Sequence, residues 1–492
     1  MEITDSSSPA GIRLDLEGGG MLTIGTDHLE LHASPETQFI PLYNILWAKV
    51  SNNEITIDFV QHTSKSLVEP RNLTFRLGSN NPDGPDGSFA ESFRRVLLAR
   101  AYREAKSRKC AYVLINPNSG PGRAMRLWRN EVKPIFDAAR MELHVVVLGR
   151  GGEPAELAEK VDLRKYDTIL ACSGDGTVHE IFNGLGNRPD ARHALASMPV
   201  SHIPCGSGNA FSCNLYGSHR ASFAALAIVK GIVAPIDLIS VTYGESRILS
   251  FLSQTVGIIA ESDLDTEHLR WMGSARFQFG VIQRVFKRVC YPCDVALKVD
   301  IEDKAGIKAH YRRHASSTRL TKATTDDSTK ASLAAECGLP KLKYGTVQDL
   351  VPEGWKLVSD DGMGTFYAGN MAYMSPNVNL FSASNMTDGL VDVITIDGDL
   401  SPVTALRVMS QTDSPRFFDH PYVKYRKVSA YRITPRNQDD GCISIDGERI
   451  PFGPFQAEVH QGLGRVISKS GKYEAEGPAN WDNATIADRI PG

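Results

Sequence analysis

At 492 residues the chain exceeds one ordinary domain, and length alone gives roughly two to four. A formal net charge of -3 excludes a bulk basic footprint, so nothing in the overall electrostatics points to a nucleic-acid partner, and any polyanion must be met by a local arrangement. The eight cysteines are scattered; the one close pair, Cys290 and Cys293 in "CYPC", has no second pair at zinc-ligand spacing and reads as structural in a reduced, intracellular chain.

In chain order, "MEITDSSSPAG" lacks the basic and apolar regions of a signal peptide, and Glu2 excludes N-myristoylation. From Met21 to Phe75 short alternating runs, "MLTIG", "LELHA", "ILWAKV", "EITIDFV" and "LTFRL", are separated by turn residues and predict strands. After "PDGPDG", the residues Phe89, Phe93, Val96 and Leu97 share one helical face. A small β-domain closed by a helix, residues 1–105, resembles pleckstrin-homology-like modules, and a plain β-extension fits the same pattern.

The texture changes at "CAYVLINPNSGPGRA", where a buried-strand run meets a glycine loop and then a helical segment. "LHVVVLG" with "GGEPAELAEKV", "DTILACS" with "GDGTVHEIFNGL", and "VSHIPCGSGNAFSCNLYG" repeat the strand, loop and helix order, which predicts parallel βαβ units in an open α/β sheet over 106–235. The most apolar long window, "FAALAIVKGIVAPIDLI", is broken by Lys230, Pro235 and Asp237 and is too short for a bilayer core of ~30 Å. The chain is therefore expected in the cytoplasm, meeting any membrane peripherally. From 236 to 470 strand-like runs dominate, such as "IDLISVTYG", "CDVALKVDI", "GLVDVITID" and "FQAEVHQG", and predict a mainly antiparallel second lobe followed by a tail, 471–492. A polar Ser/Thr/Lys-rich stretch, about 303–345, reads as a mobile insertion, and "RRHASS" within it has the spacing of a basophilic phosphorylation site at Ser316.

Three loops fall at the carboxyl ends of predicted parallel strands: Asn116-Pro117-Asn118-Ser119-Gly120, Ser173-Gly174-Asp175-Gly176-Thr177 and Pro204-Cys205-Gly206-Ser207-Gly208-Asn209. That edge of an open α/β sheet is where ligands bind, and glycine followed by a helix N-terminus suits phosphate. Neither the Walker Lys-Ser/Thr nor the third glycine of the dinucleotide motif is present. The middle loop carries a carboxylate instead. Beside phosphates Asp175 is unfavourable unless it serves a proton or a metal, so it reads either as a general base for phosphoryl transfer or as the cap of the helix that follows.

The loops "NPNSGPGRA", "SGDGTVHEIFNGL" and "CGSGNAF" resemble those of the diacylglycerol-kinase-type lipid kinases and, among them, the sphingosine (sphingoid long-chain base) kinases, over about Lys109 to Gly462. The resemblance implies a two-lobed lipid kinase, with an α/β open-sheet nucleotide lobe and a β-rich lipid lobe. ATP with Mg²⁺ would be the phosphoryl donor, Asp175 the catalytic residue in contact with the lipid, and Ser173, Gly174 and Gly176 would contact both substrates. Asn116, Pro117, Asn118, Gly206, Ser207 and Gly208 are carried over as nucleotide contacts, as are Leu148, Gly149, Arg150, Gly151, Gly152 and Glu180. The segment "GIIAESDLDTEHLRWMGSARFQFG" is similar to the family's inter-lobe segment, which assigns the lipid head group to Asp263 and the ATP phosphates to Arg270 and Arg276. A carboxylate pairs with the ammonium of a sphingoid base better than with a neutral amide or ester. Glu261 stands where the family often has another aspartate. Arg270 and Arg276 are six apart, so either the helix ends near Gly273 or only one arginine points inward. "MTDGLVDVITI", with Asp388 and Asp392, is similar to an element that is structural or part of an ion site, and "SIDGERI" brings Asp446, Gly447 and Glu448 to the nucleotide or its metal. His179 beside the loop is expected to have a structural or orienting role.

The reading is ATP-dependent phosphorylation of the primary hydroxyl of a sphingoid base such as sphingosine, dihydrosphingosine or phytosphingosine. The rivals are a ceramide or diacylglycerol kinase of the same fold and a catalytically silent lipid-binding scaffold.

Overall fold

The computed structural model describes residues 12–33, 36–79, 81, 88–265, 284, 286, 288–317 and 337–482. Alternation of apolar and polar residues builds the first elements: β1 (Ile12–Asp15), β2 (Met21–Ile24), β3 (His28–Ala33) and β4 (Glu36–Pro41) form one antiparallel sheet, and β5 (Ile45–Ser51), β6 (Glu54–Ser64) and β7 (Leu67–Arg76) a second. In β3, Leu29 and Leu31 are buried while Glu30 and His32 lie on the other face, the period of two that a half-buried strand requires. Strands β1 and β4 were not anticipated, because "IRLD" and "ETQFIP" carry too few apolar residues to stand out. The helix α1 (Ser88–Tyr102) buries Phe93 and Leu97, and its Tyr102 hydroxyl donates to the Leu46 carbonyl at 2.5 Å.

The chain divides into two compact units, and the first contains more than the N-terminal segment: it comprises 1–109, 126–142 and 220–232. Helix α2 (Ala124–Leu127) leads into a π-helical turn, Trp128–Val132, and then α3 (Lys133–Ala138). Arg140 pairs with Asp58 of β6 at 3.0 Å, and the Val68 amide of β7 donates to Ser222 Oγ at 3.2 Å. Lys230 is buried among carbonyls, donating to those of Ile45 and Ala101, with its ammonium 3.8 Å from the Tyr102 ring centroid. Burial, and secondarily the charge of Lys109, pushes its pKa down to about 7.

The second unit comprises 110–125, 143–219 and 233–492. Here β8 (Cys110–Ile115), β10 (Thr168–Ser173) and β11 (Val200–Pro204) are parallel neighbours, with β9 (Glu142–Val147) beyond β8. All six residues of β10 are buried, the continuous apolar run of a strand covered on both faces. Along the chain this unit's helices are α4 (Glu153–Lys160), α5 (Asp175–Gly186), α6 (Ala191–Ser197) and α7 (Ala210–Tyr216), whereas the next helix, α8 (Ala221–Lys230), belongs to the first unit. Next come β12 (Ile232–Tyr243), β13 (Ser246–Ser250), β14 (Ser253–Gly257), α9 (Ile258–Asp265), β15 (Cys293–Ile301), α10 (Lys304–Ser317), β16 (Lys356–Asp360) and β17 (Met363–Gly369). The remaining elements are a short hairpin, β18 (Tyr373–Ser375) and β19 (Val378–Asn379), then β20 (Val391–Asp397), α11 (Pro402–Met409), β21 (Lys424–Pro435), β22 (Ile443–Ile445), β23 (Glu448–Ile450) and β24 (Phe455–Ser468).

The two predicted lobes share one sheet, ordered β23-β22-β14-β17-β20-β21-β24-β11-β10-β8-β9. The last strand joins them: β24 is antiparallel to β21 on one side and parallel to β11, through Val200 and Val466, on the other. A sequence pattern shows that a strand exists but not that it will span two regions more than 200 residues apart, as Val200 and Val466 are.

The stretch read as a mobile insertion is helical at its start. In α10, Ile307 is fully buried, Lys308 pairs with Asp419 at 2.8 Å and His310 reaches Asp388 at 3.0 Å, so its polar residues have specific partners. At the other end the Lys343 and Tyr344 amides donate to the buried Glu458 carboxylate at 2.9 and 3.0 Å. The phosphorylation-like motif lies on this helix, and Arg312 Nε donates to the Trp481 carbonyl at 2.7 Å. The Ser316 side chain lies outside the described residues.

The packing of α4 on α5 depends on one glycine. A Cβ at Gly184 would overlap the Ala155 carbonyl oxygen, backbone that cannot swing away. Gly184→Ala is expected to cost roughly 3 kcal/mol of stability through forced separation of the helices. A thermal melt within a degree of the parent would contradict this.

Candidate active site

The three glycine loops lie against one another at the carboxyl edge of β8, β10 and β11. A Cβ on Gly206 would lie 2.5 Å from Gly174 Cα, and one on Gly120, at φ +53°, would lie 2.6 Å from the Cys205 carbonyl oxygen. Glycine therefore lets the loops touch each other, beyond any approach to a ligand. The Gly174 amide donates to Ser119 Oγ at 3.3 Å, and Asn209 Oδ1 accepts from the Gly206 amide at 2.8 Å. Below them His202, fully buried, contacts the Ser173 carbonyl through Nε2 at 2.9 Å; burial lowers its pKa, so the ring is neutral with the proton on Nε2.

Asp175 is the first residue of α5, whose N-cap is Gly174. Its carboxylate does not cap that helix: Oδ2 accepts from the Ala210 amide and Oδ1 from the Phe211 amide, both at 3.0 Å, closing the start of α7 instead. The reading of Asp175 as the cap of the helix that follows it is thus corrected. A carboxylate offers about four lone-pair sites, so two remain after these bonds. Gly174 supplies no side-chain cap to the first turn of α5, whose Asp175, Gly176 and Thr177 line a cleft.

That cleft, about 470 Å³, is lined by Asn116, Asn118, Gly151, Gly174, Asp175, Gly176, Glu180, Gly206, Ser207, Gly208, Asp446, Gly447 and Glu448 among the residues expected at the site. Pro117, Leu148, Gly149, Arg150, Gly152 and Ser173 do not line it. Leu148 and Ser173 are buried in the fold, the Gly149 and Arg150 amides donate to Glu153, and the Gly152 amide donates to Glu180 at 2.8 Å. Burial raises the Glu180 pKa and the charge of Glu448 adds to it, against the Gly152 hydrogen bond. Asp263 is placed on α9, whose Ile259 and Ser262 line the cleft; its side chain, and all of Arg270 and Arg276, lie outside the described residues.

Ser119, Thr177, Ser253 and Ser375 also line the cleft and were not singled out from the sequence. Ser119 and Thr177 stand inside two of the quoted loops; Ser253 and Ser375 carry no local signal, since serine is common in every turn. A second cavity of about 370 Å³ is mostly apolar, lined by residues such as Ile394, Val408 and Phe417, and shares Ile259, Tyr367, Val378 and Leu380 with the cleft. The apolar run "FLSQTVGIIA" contributes Ile258 and Ile259 to it, while most of "FGVIQRVF" falls outside the described residues.

The Asp388 and Asp392 element resolves toward structure. Lys427 Nζ lies 2.9 Å from Asp388 Oδ2 and 3.0 Å from Asp392 Oδ2, with all three side chains fully buried, so the chain supplies its own cation. Burial would raise the Asp388 pKa, yet the Lys427 charge and hydrogen bonds from His310, Lys427 and Asn385 hold it well below the carboxylate range.

With this geometry in place, comparison with known proteins is specific. The family described as the diacylglycerol kinase catalytic domain matches residues 110–241, and a domain of unknown function, DUF7493, matches 28–103. Sphingoid long chain base kinase 4 of Schizosaccharomyces pombe is 31% identical over 432 residues, covering 87% of this chain and 88% of that protein. The chain belongs to the sphingoid long-chain base kinases. Sphingoid long chain base kinase 5 of Saccharomyces cerevisiae is 28% identical to this kinase over 92% of its chain and 71% of the yeast protein, and human sphingosine kinase 1 is 26% identical over 75% and 92%. A Bacillus anthracis structure assigned as a diacylglycerol kinase aligns with a TM-score of 0.50 at 18% identity, over 74% of this kinase and 98% of that chain, a likeness of fold. No helix among the described residues is long and apolar enough to cross a membrane.

Proposed function

We propose that this kinase transfers the γ-phosphoryl group of ATP to the primary hydroxyl of a sphingoid long-chain base. The observation that carries the reading is the continuity of a polar, glycine-walled cleft with an apolar cavity through Ile259, Tyr367, Val378 and Leu380. An amphiphile with a reactive head and a long chain matches that division; a nucleotide alone does not. The first-turn amides of α5 receive phosphate oxygens, favoured by the helix dipole. Asp175, tethered by α7, presents its remaining lone pairs to the attacking hydroxyl and takes its proton as the new O–P bond forms. Asp263, next to the cleft-lining Ser262, pairs with the lipid ammonium, and Arg270 and Arg276 steady the phosphates.

Among the described residues no group of three or more metal-ligating side chains is present. Mg²⁺ in kinases is bound by one or two carboxylates together with substrate phosphates, and Glu180 and Glu448 fit that pattern: both line the cleft, and the Glu448 charge disfavours ionised Glu180. These two side chains would hold Mg²⁺ with ATP, and the ion would offset charge on the transferring phosphoryl group. In this reading residues 106–235 form the ATP-binding lobe and 236–470 the lipid-binding lobe, which also lends Arg270, Arg276 and Glu448 to the phosphates, the segment 1–105 is a pleckstrin-homology-like domain, and the kinase meets the membrane peripherally from the cytoplasm. The two antiparallel sheets closed by α1 support the N-terminal assignment.

The test is transfer of labelled γ-phosphate to sphingosine, dihydrosphingosine, phytosphingosine, ceramide and diacylglycerol. Sphingoid bases are expected to be used at least about tenfold faster than the neutral lipids, and Asp263→Asn to remove most of that preference. Equal turnover of diacylglycerol by the parent enzyme would overturn the substrate assignment.

A further inference from the structure

Asp446 was expected to touch the nucleotide or its metal, yet its carboxylate is fully used inside the protein. Oδ1 accepts from Ser250 Oγ at 2.6 Å, the Leu252 amide at 3.0 Å and the Ser253 amide at 2.9 Å; Oδ2 accepts from the Phe251 amide at 3.0 Å and contacts His179 Nδ1 at 2.8 Å. Five donors meet about four lone-pair sites, so nothing is left for a ligand. The residue sits at φ +53°, followed by Gly447 at φ +88°, a left-handed pair that turns the chain sharply into Glu448. His179 comes from the other side. It lies one turn after Asp175 on α5, and its Nε2 is 3.2 Å from the Nδ2 of Asn183, the next residue on that helix face. Asn183 in turn exchanges two hydrogen bonds of 2.9 Å with the Leu249 backbone.

We propose that His179 and Asp446 form a positioning pair, in which the imidazole fastens the Asp446-Gly447 turn to α5 so that Glu448 stands over the first turn of that helix. The approach is close: a Cβ on Gly176 would lie 2.8 Å from Glu448 Oε1. Glu448 and the α5 amides belong to segments more than 260 residues apart, since Asp446 is 267 positions from His179. Among the described residues the imidazole is the side-chain link between that turn and α5. Without it Asp446 keeps its four donors from 250–253, so the turn stays folded on β13 and β14 but loses its own tie to α5, which then holds only β13 through Asn183 and Leu249. The role is therefore one of placement more than of stability, and it rests on reading the cleft as the ATP site.

The experiment compares the full chain with His179→Ala and His179→Gln by calorimetric titration of ATP with Mg²⁺ in the absence of lipid, by steady-state kinetics in both substrates, and by thermal melting. His179→Ala is expected to weaken ATP binding and lower kcat by about tenfold or more each, as misplacement of about an ångström does, while KM for the sphingoid base and the melting temperature change little. The amide of His179→Gln can still donate to Asp446 and is expected to recover most of the loss. ATP affinity and kcat within twofold of the parent in His179→Ala would overturn the pair, as would parallel loss of lipid and ATP affinity that His179→Gln fails to restore. If His179→Ala does not fold, a His179→Gln variant with parent stability but ten times weaker ATP binding also refutes it. A parent protein that takes up no ATP refutes the nucleotide reading of the cleft, whereas a parent that binds ATP beside an unaffected His179→Ala refutes the positioning pair alone.

Discussion

Asp175→Asn is expected to lower kcat by about 10³-fold or more and, unlike a simple base deletion, to lower the melting temperature as well. The two effects have separate origins in one carboxylate. In the first, an amide cannot accept the proton of the lipid hydroxyl, which removes the general base from phosphoryl transfer. In the second, both carboxylate oxygens are occupied, one by the Ala210 amide and one by the Phe211 amide. Asparagine has a single acceptor oxygen, so one of these amides would face an NH₂ group and remain unsatisfied, at a cost of about 1–3 kcal/mol. The measurement pairs steady-state kinetics with thermal melting of Asp175→Asn and Asp175→Ala. Retention of more than a tenth of kcat by a folded Asp175→Asn would remove the base role. An unchanged melting temperature would remove the bracing role.

Lys427→Ala is expected to destabilise the kinase by about 3–5 kcal/mol, because it strands two buried carboxylates without their cation. The effect depends on pH with a definite sign. In the parent, the Asp388 pKa is held below its unfolded value, so its contribution is present above the unfolded pKa and is lost as pH falls through the folded one. Asp392, at the same ammonium, is already raised, by burial above all. Once Lys427 is gone, burial and mutual repulsion raise both carboxyls above the unfolded value near 4. Stability is then greatest at acid pH and is lost as pH rises through the raised pKa values. Melting curves from about pH 5 to pH 8 should therefore fall more steeply with pH for Lys427→Ala than for the parent. Equal slopes would mean that the three charges do not act together.

Much of the nucleotide-binding half was legible in the sequence because its signals are local. Strand, glycine loop and helix follow one another within about 30 residues in each βαβ unit, and the buried run of β10 has no other use for so many apolar side chains. The motif loops reached the cleft for the same reason: a loop after a parallel strand is carried to one edge of the sheet by the strand itself. The run 148–152 shows the limit. The resemblance carries it over as nucleotide contacts, yet the Gly149 and Gly152 amides are taken by Glu153 and Glu180, and only Gly151 of the run lines the cleft. The helix α10 was missed because its stabilising partners, Asp388 and Asp419, lie 78 and 111 positions from the residues they pair with. Composition registers polarity, not the partner that satisfies it.

By itself, then, the sequence determined the alternation of strands and helices, the three loops at the sheet edge, the carboxylate placed between two glycines, and the family to which these belong. The tertiary structure alone decided that Asp175 braces α7 and not its own helix, that Asp446 faces inward to His179 and the 250–253 backbone, that Lys427 serves as the cation between Asp388 and Asp392, and that β24 joins both regions into one sheet. The physical reason is the range of the interactions. Propensity, periodicity and turn chemistry act over a few residues and are written along the chain. Hydrogen-bond saturation and charge pairing are settled by groups hundreds of positions apart, and exist only once folding has brought them together.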